Sequence, residues 1–263
     1  SVSVALGIVG SDAQVIAGTD LETKLIQNSL VVAERNLLIG NCLFHARVHV
    51  GGTIEIKEMG GKGAGSIVGG STHCSKRVTA RSVGSVGFEQ TIVGFRIPPS
   101  QESRRSRLQK RLDPLLKVIS EAKERINIDE FTQAAINQAL SNLSKLPPAR
   151  QEQAKSALRT ALTAIKEVQS VRESIGELQE MEVEAQRRFA VCATAVFHPG
   201  VVVEFPPLSI TVADRMEGCE YRLDKEGQII AQVPVAGGGD DIDPAASTEP
   251  VSGSPSAVDG AER

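Results

Sequence analysis

The sequence predicts a mainly β protein: a parallel β-solenoid interrupted by an antiparallel coiled-coil hairpin. Three observations carry this. Composition changes from Val/Ile/Gly/Thr-rich to Ala/Leu/Glu/Gln/Lys/Arg-rich near Pro98-Pro99, and changes back near Val191. A short apolar motif recurs within the first β-type segment. The intervening segment carries apolar residues at helical spacing.

The expected segments are a β-helix over residues 1–99, a hairpin over 100–190, and strands that complete or cap the β-helix over 191–235. A tail follows over 236–263. The tail is rich in Gly, Pro, Ser and Asp and is expected to be disordered, because it can bury too little apolar surface to offset chain entropy.

The repeat begins at Val15, Val31, His49 and Ile67, with "VIAGTDL", "VVAERNL", "HVGGTIEI" and "IVGGSTHC". Each unit has an apolar pair, a small-residue turn and a second apolar run. A unit this short cannot form a core alone and must stack, as solenoid coils do. The expected register aligns Gly69 and Gly70 with Gly51 and Gly52. It puts Leu38, Ile56 and Cys74 in one interior column and turns Glu55 and His73 outward.

In the helical segment, Leu108, Leu112, Leu115 and Ile119 form one apolar stripe. Leu158, Ala161, Ile165, Val168, Ile175 and Leu178 form another. A helix start is expected at Asn127 or Asp129, and a break at Pro147-Pro148. The basic run Arg104–Arg111 and the acids Glu173, Glu177, Glu180, Glu182 and Glu184 would lie alongside each other in a folded-back pair.

The stretch "GGKGAGSIVGG" invites a phosphate-loop reading, but GxxxxGK[ST] is absent and the following residues are strand-like. Gly51, Gly52, Gly60, Gly61, Gly63, Gly65, Gly69 and Gly70 are therefore read as structural turn residues, as are Pro199 and Gly200. Lys62 carries no catalytic role, and no cofactor is expected. Cys42, His45, His49, His73 and Cys74 are ligand types without ligand spacing, so no metal site is expected. Asp12, Asp20, Glu55 and Glu58 are the carboxylates a solenoid hydrolase could gather, and no catalytic residue is assigned.

Aromatic content of 3% and net charge of −3 argue against nucleic acid as a partner. The four cysteines suggest no disulfide framework, and a cytoplasmic setting is expected. No apolar run is long enough for a membrane span.

The ordered set "GGKGAGSIVGG", "RVTARSVGS", a helical insertion and "HPGVVVEF…ITVADRMEGCEYRLDKEGQI" resembles the bacterial flagellar assembly protein A family, over roughly residues 10–232. The resemblance implies a right-handed parallel β-helix with a projecting coiled coil and no known catalytic centre. It implies a non-enzymatic scaffold or adaptor in flagellar assembly or positioning, with other proteins as partners. It also implies that Ser1 opens the C-terminal portion of a longer protein. "VGFEQTIVGF" departs from the family's small-residue turn, so the entry into the helices is expected to be built differently. Two other readings stand beside this one: a β-helix enzyme acting on polysaccharide, and a filament or other homo-oligomer joined through solenoid ends.

Overall fold

The computed structural model describes residues 1–58, 64–143 and 147–233. Gly60, Gly61, Lys62 and Gly63, and the tail expected over 236–263, lie outside the described residues.

The chain winds as stacked three-sided coils. The first has β1 (Val2–Val4), β2 (Ile8–Val9) and β3 (Gln14–Ala17). The second has β4 (Leu21–Gln27) and β5 (Leu30–Ala33), and the third is the bent strand β6 (Leu37–Val50). Then come β7 (Thr53–Ile56) with β8 (Ser66–Cys74), and β9 (Arg77–Val83) with β10 (Thr91–Phe95). Three helices follow: α1 (Pro99–Ile126), α2 (Gln133–Leu143) and α3 (Pro148–Arg188). The last coil is β11 (Ala190–Phe197) and β12 (Val202–Phe205). Every pairing between successive coils is parallel. Antiparallel pairing enters only with β13 (Leu208–Thr211), β14 (Met216–Leu223) and β15 (Ile229–Gln232), which lie on β12, β11 and β14.

Each face contributes one column to the core, apolar except for Thr72 on the third face. Leu21, Leu37, Ile54, Val78 and Val191 succeed one another on the first face. Ile8, Ile26, Leu43, Ile67, Val83 and Phe197 do so on the second. Val15, Val31, Val48, Thr72, Val93 and Val203 do so on the third. Val15 is partly buried; the others in the three columns are buried. Burying one such aliphatic side chain contributes about 1.5–3 kcal/mol, so the columns, not single contacts, hold the coils together.

The register differs from the sequence expectation after the second coil. Val15 does lie on Val31. Leu38, however, pairs with Glu55, Ile56 with Ile39, and Cys74 with Val50. Gly70 lies on Ala46 and not on Gly52. The cause is unequal coil length. The step from Leu37 to Ile54 is 17 residues and not 18, which moves Ile56 off Leu38. The step from Ile54 to Val78 carries the added residues between β7 and β8, so repeated Gly-Gly words fall at different points of their coils.

The second helix start also differs. Asn127 is the left-handed C-cap of α1, at φ 55°. The Thr132 hydroxyl, and not an acidic side chain, accepts the Ala135 N–H at 3.2 Å ahead of α2.

Candidate functional site

The helices leave the solenoid at the corner between its third and first faces. Phe95 precedes the departure, Phe189 follows the return, and Phe205 comes from β12. Phe189 meets Phe95 edge-on at 5.6 Å and Phe205 at 5.2 Å, and all three rings are buried. His49 donates from Nε2 to the Ile97 carbonyl at 2.8 Å, which fixes the neutral ring's remaining lone pair on Nδ1. Burial holds this ring's pKa below the usual histidine value. The Ile97 bond and Glu102 pull upward and Arg96 and His73 push downward, but burial prevails.

More polar contacts root the helices. Arg96 donates to Glu102 at 2.8 Å, and the Ser100 N–H donates to Glu34 at 3.2 Å. Arg105 of α1 bonds Glu182 of α3 at 2.9 Å, and Gln186 of α3 donates to the Pro206 carbonyl at 2.6 Å. Arg96, Glu102, Arg105, Gln109, Glu182 and Pro206 surround a shallow depression of about 420 Å³ at this root.

Above the root, burial follows a seven-residue repeat. In α1, Arg105, Leu108, Leu112, Leu115 and Ile119 are half-buried and Ala122 and Ile126 buried, with Val118 and Lys123 half-buried beside them. In α3, Ala154, Ala157, Ala161, Ala164, Val168, Val171 and Leu178 are buried. Ala122 and Ile126 share one apolar cluster with Ala157, Leu158 and Ala161, and Ile128, Phe131 and Ile136 pack against it. Arg111 reaches Glu167 at 2.9 Å. Of the acids expected opposite the basic run, Glu182 makes a contact across the helices; Glu167 was not foreseen.

The candidate ligand and catalytic residues do not converge on one point. His49 and His73 are neighbours in register, but His49 is committed to Ile97, and His73 Nε2 lies 3.0 Å from Glu204. His45 lies 3.4 Å from Glu89. Cys74 is buried, its thiol pushed up to about 12 by burial despite three backbone hydrogen bonds; burial also raises Cys42. Among the described residues, no three His, Cys, Asp or Glu side chains are placed to hold a metal ion. Glu58 pairs with Arg81 at 3.0 Å, Glu55 is exposed on the first face, and Asp12 is exposed near the start of the chain.

Asp20 belongs to a corner ladder that the sequence reading missed. It accepts from Asn36 Nδ2 at 2.9 Å, and Asn36 Oδ1 in turn accepts from the Thr53 N–H at 3.0 Å and hydroxyl at 2.9 Å. One short polar residue per coil at the same corner was the available signal. Desolvation raises the Asp20 pKa, but the Asn36 bonds and Arg35 outweigh it and hold the carboxyl below its ordinary value.

The glycines serve two purposes. At Gly51 a Cβ would lie 2.2 Å from the Glu34 carbonyl oxygen, and at Gly52 2.4 Å from Asn36 Oδ1, so this corner has no room for a side chain. Gly65, Gly69, Gly70 and Gly200 have φ of +80°, +67°, +75° and +85°. Gly69 and Gly70 lie within β8, not at a corner between strands, while Pro199 and Gly200 make the turn between β11 and β12.

Among the described residues no helix is long and apolar enough to cross a membrane. Comparison with curated proteins and with solved structures gave no significant match. The family model described as the Flagellar Assembly Protein A beta solenoid domain matches residues 1–229. That span includes all six parallel coils and the helices between them, and the chain therefore belongs to the Flagellar Assembly Protein A family.

Proposed function

We propose that this chain is a non-enzymatic scaffold or adaptor in flagellar assembly or positioning, and that its helices form an antiparallel coiled-coil arm that engages other proteins. The observation that carries this reading is the rooted arm itself. α3 has 41 residues, or ~60 Å at 1.5 Å per residue, and is fixed at its base through Glu182 and Gln186. A rigid lever on a rigid body presents a surface at a set distance with little ordering cost on binding. The seven-residue burial repeat and the Arg105–Glu182 and Arg111–Glu167 pairs support the coiled-coil reading. Right-handed winding is part of the proposal, since parallel strand connections take that hand for steric reasons. So are the division at 99, 190 and 235 and a cytoplasmic setting.

The test replaces residues 100–188 with a short linker, leaving the buried Phe189 in place. Partner capture by crosslinking in the source cells should disappear while the solenoid stays folded. Capture that survives this deletion would move the binding surface to the solenoid.

A further inference from the structure

The outward faces of the two long helices carry opposite charge at the same height above the root. On α1, Arg107, Lys110 and Lys117 are exposed on the side away from Leu108, Leu112 and Leu115, with Asp113 exposed among them and Arg104 exposed at the edge of the seam. On α3, Glu173, Glu177, Glu180 and Glu184 are exposed, on the side away from Val171, Ile175 and Leu178. Glu184 bonds Arg188, whereas Glu173, Glu177 and Glu180 make no ion pair among the described residues. Arg172 and Arg187 bound the acidic stripe. The Arg105–Glu182 contact sets the two stripes level. Exposed apolar side chains accompany both: Met181 (47%) and Val183 (49%) flank Glu180 and Glu184, and Leu116 (42%) adjoins Lys117.

We infer that the arms associate laterally with copies of this same chain, the basic α1 face of one against the acidic α3 face of the next. A second copy is the occupant these faces fit, because with roots aligned its acidic stripe meets the basic stripe at matching height. Each stripe lies opposite its own helix's buried seam, so the two point away from each other. One neighbour cannot satisfy both, and the contact repeats into an open row instead of closing as a two-fold dimer. The inference rests on α1 and α3 forming one arm.

Sedimentation velocity of the full chain tests it. At about 0.1 M salt, where charges interact over about 10 Å, the mean mass should rise with concentration above the 27.9 kDa monomer. At about 1 M salt, where that reach is about 3 Å, it should fall back. Reversing one face (Arg104→Glu, Arg107→Glu and Lys110→Glu together) should weaken association at least about tenfold. So should Glu173→Lys, Glu177→Lys and Glu180→Lys together. Mixing the two variants in equal amounts should restore association, because each then offers the other complementary faces. A monomer at every concentration and both salts overturns the inference, as does association that survives both reversals or a mixture that stays monomeric. If the arm itself is wrong, Ile126→Asp leaves helicity unchanged; if only lateral pairing is wrong, that variant loses helicity while the wild type stays monomeric.

Discussion

His73 and Glu204 meet at 3.0 Å although a whole coil lies between them. The intervening register position is Gly94, where a Cβ would stand 2.6 Å from the Glu204 Cβ. The glycine is a gap through which one coil's carboxylate reaches the imidazole two coils back. Gly94→Ala should displace Glu204, break this pair and destabilise the protein by about 1–3 kcal/mol. A denaturant midpoint indistinguishable from wild type would refute the account.

The corner ladder predicts an ordered pair of effects. Asn36→Ala removes the acceptor of two Thr53 donors and the donor to Asp20, and should cost about 1–3 kcal/mol. Gly52→Ala should cost at least as much, since its Cβ meets Asn36 Oδ1 at 2.4 Å and the Arg35 carbonyl oxygen at 2.5 Å. In the double variant the Asn36 clash is gone but the backbone clash remains, so the losses should fall short of additive. Chemical unfolding of all three proteins supplies the comparison.

The first coils and the arms were legible in the sequence for different reasons. Val15 and Val31 align because the early coils add nothing between their strands. The helical stripes were visible because Leu108, Leu112 and Leu115 keep their spacing whatever surrounds them. The later register was not legible, since words such as Gly51-Gly52 and Gly69-Gly70 look alike and do different work: one makes room for Asn36, the other bends a strand at positive φ. Contacts such as Gln186 to Pro206 and His73 to Glu204 join residues far apart in sequence, and only the coil count brings them together.

Stability should fall on mild acidification. Burial holds His49 below the ordinary histidine pKa, and burial with Arg215 does the same for His198. Between the folded value and about 6.5, the unfolded chain binds more protons at these rings than the folded chain does. Stability therefore rises with pH through that window and levels off above it. His49→Gln with His198→Gln should flatten the dependence of the denaturant midpoint between about pH 5 and 7. Asp20, held below its usual value, contributes only in more acidic solution, below about pH 4.

The arm's seam should unfold apart from the solenoid. Ala161 is fully buried beside Ala122 and Ile126, and Ala161→Asp places a carboxylate there, costing about 2–4 kcal/mol locally. Far-ultraviolet circular dichroism should lose helical signal at lower temperature while the β signal persists. Loss of both together would mean that the arm and solenoid form one cooperative unit.

Thiol labelling offers an independent check on the core. Cys42 is half-buried, whereas Cys74, Cys192 and Cys219 are buried, with the Cys219 thiol raised to about 11 by burial and by Cys192. Native protein at pH 7.5 should react first at Cys42, and Cys74 only on unfolding. Rapid native labelling of Cys74 would contradict the assigned register.

Phe95 and Phe189 touch although the whole helical segment separates them in sequence. To the solenoid, that segment is a single corner, no wider than the one spanned by Gly51 and Gly52. Arms of other lengths can be grafted between Ile97 and Phe189 without altering any strand's partner. The coils can thus be inherited as a constant chassis while the reach of the projecting tool diverges from one descendant to the next.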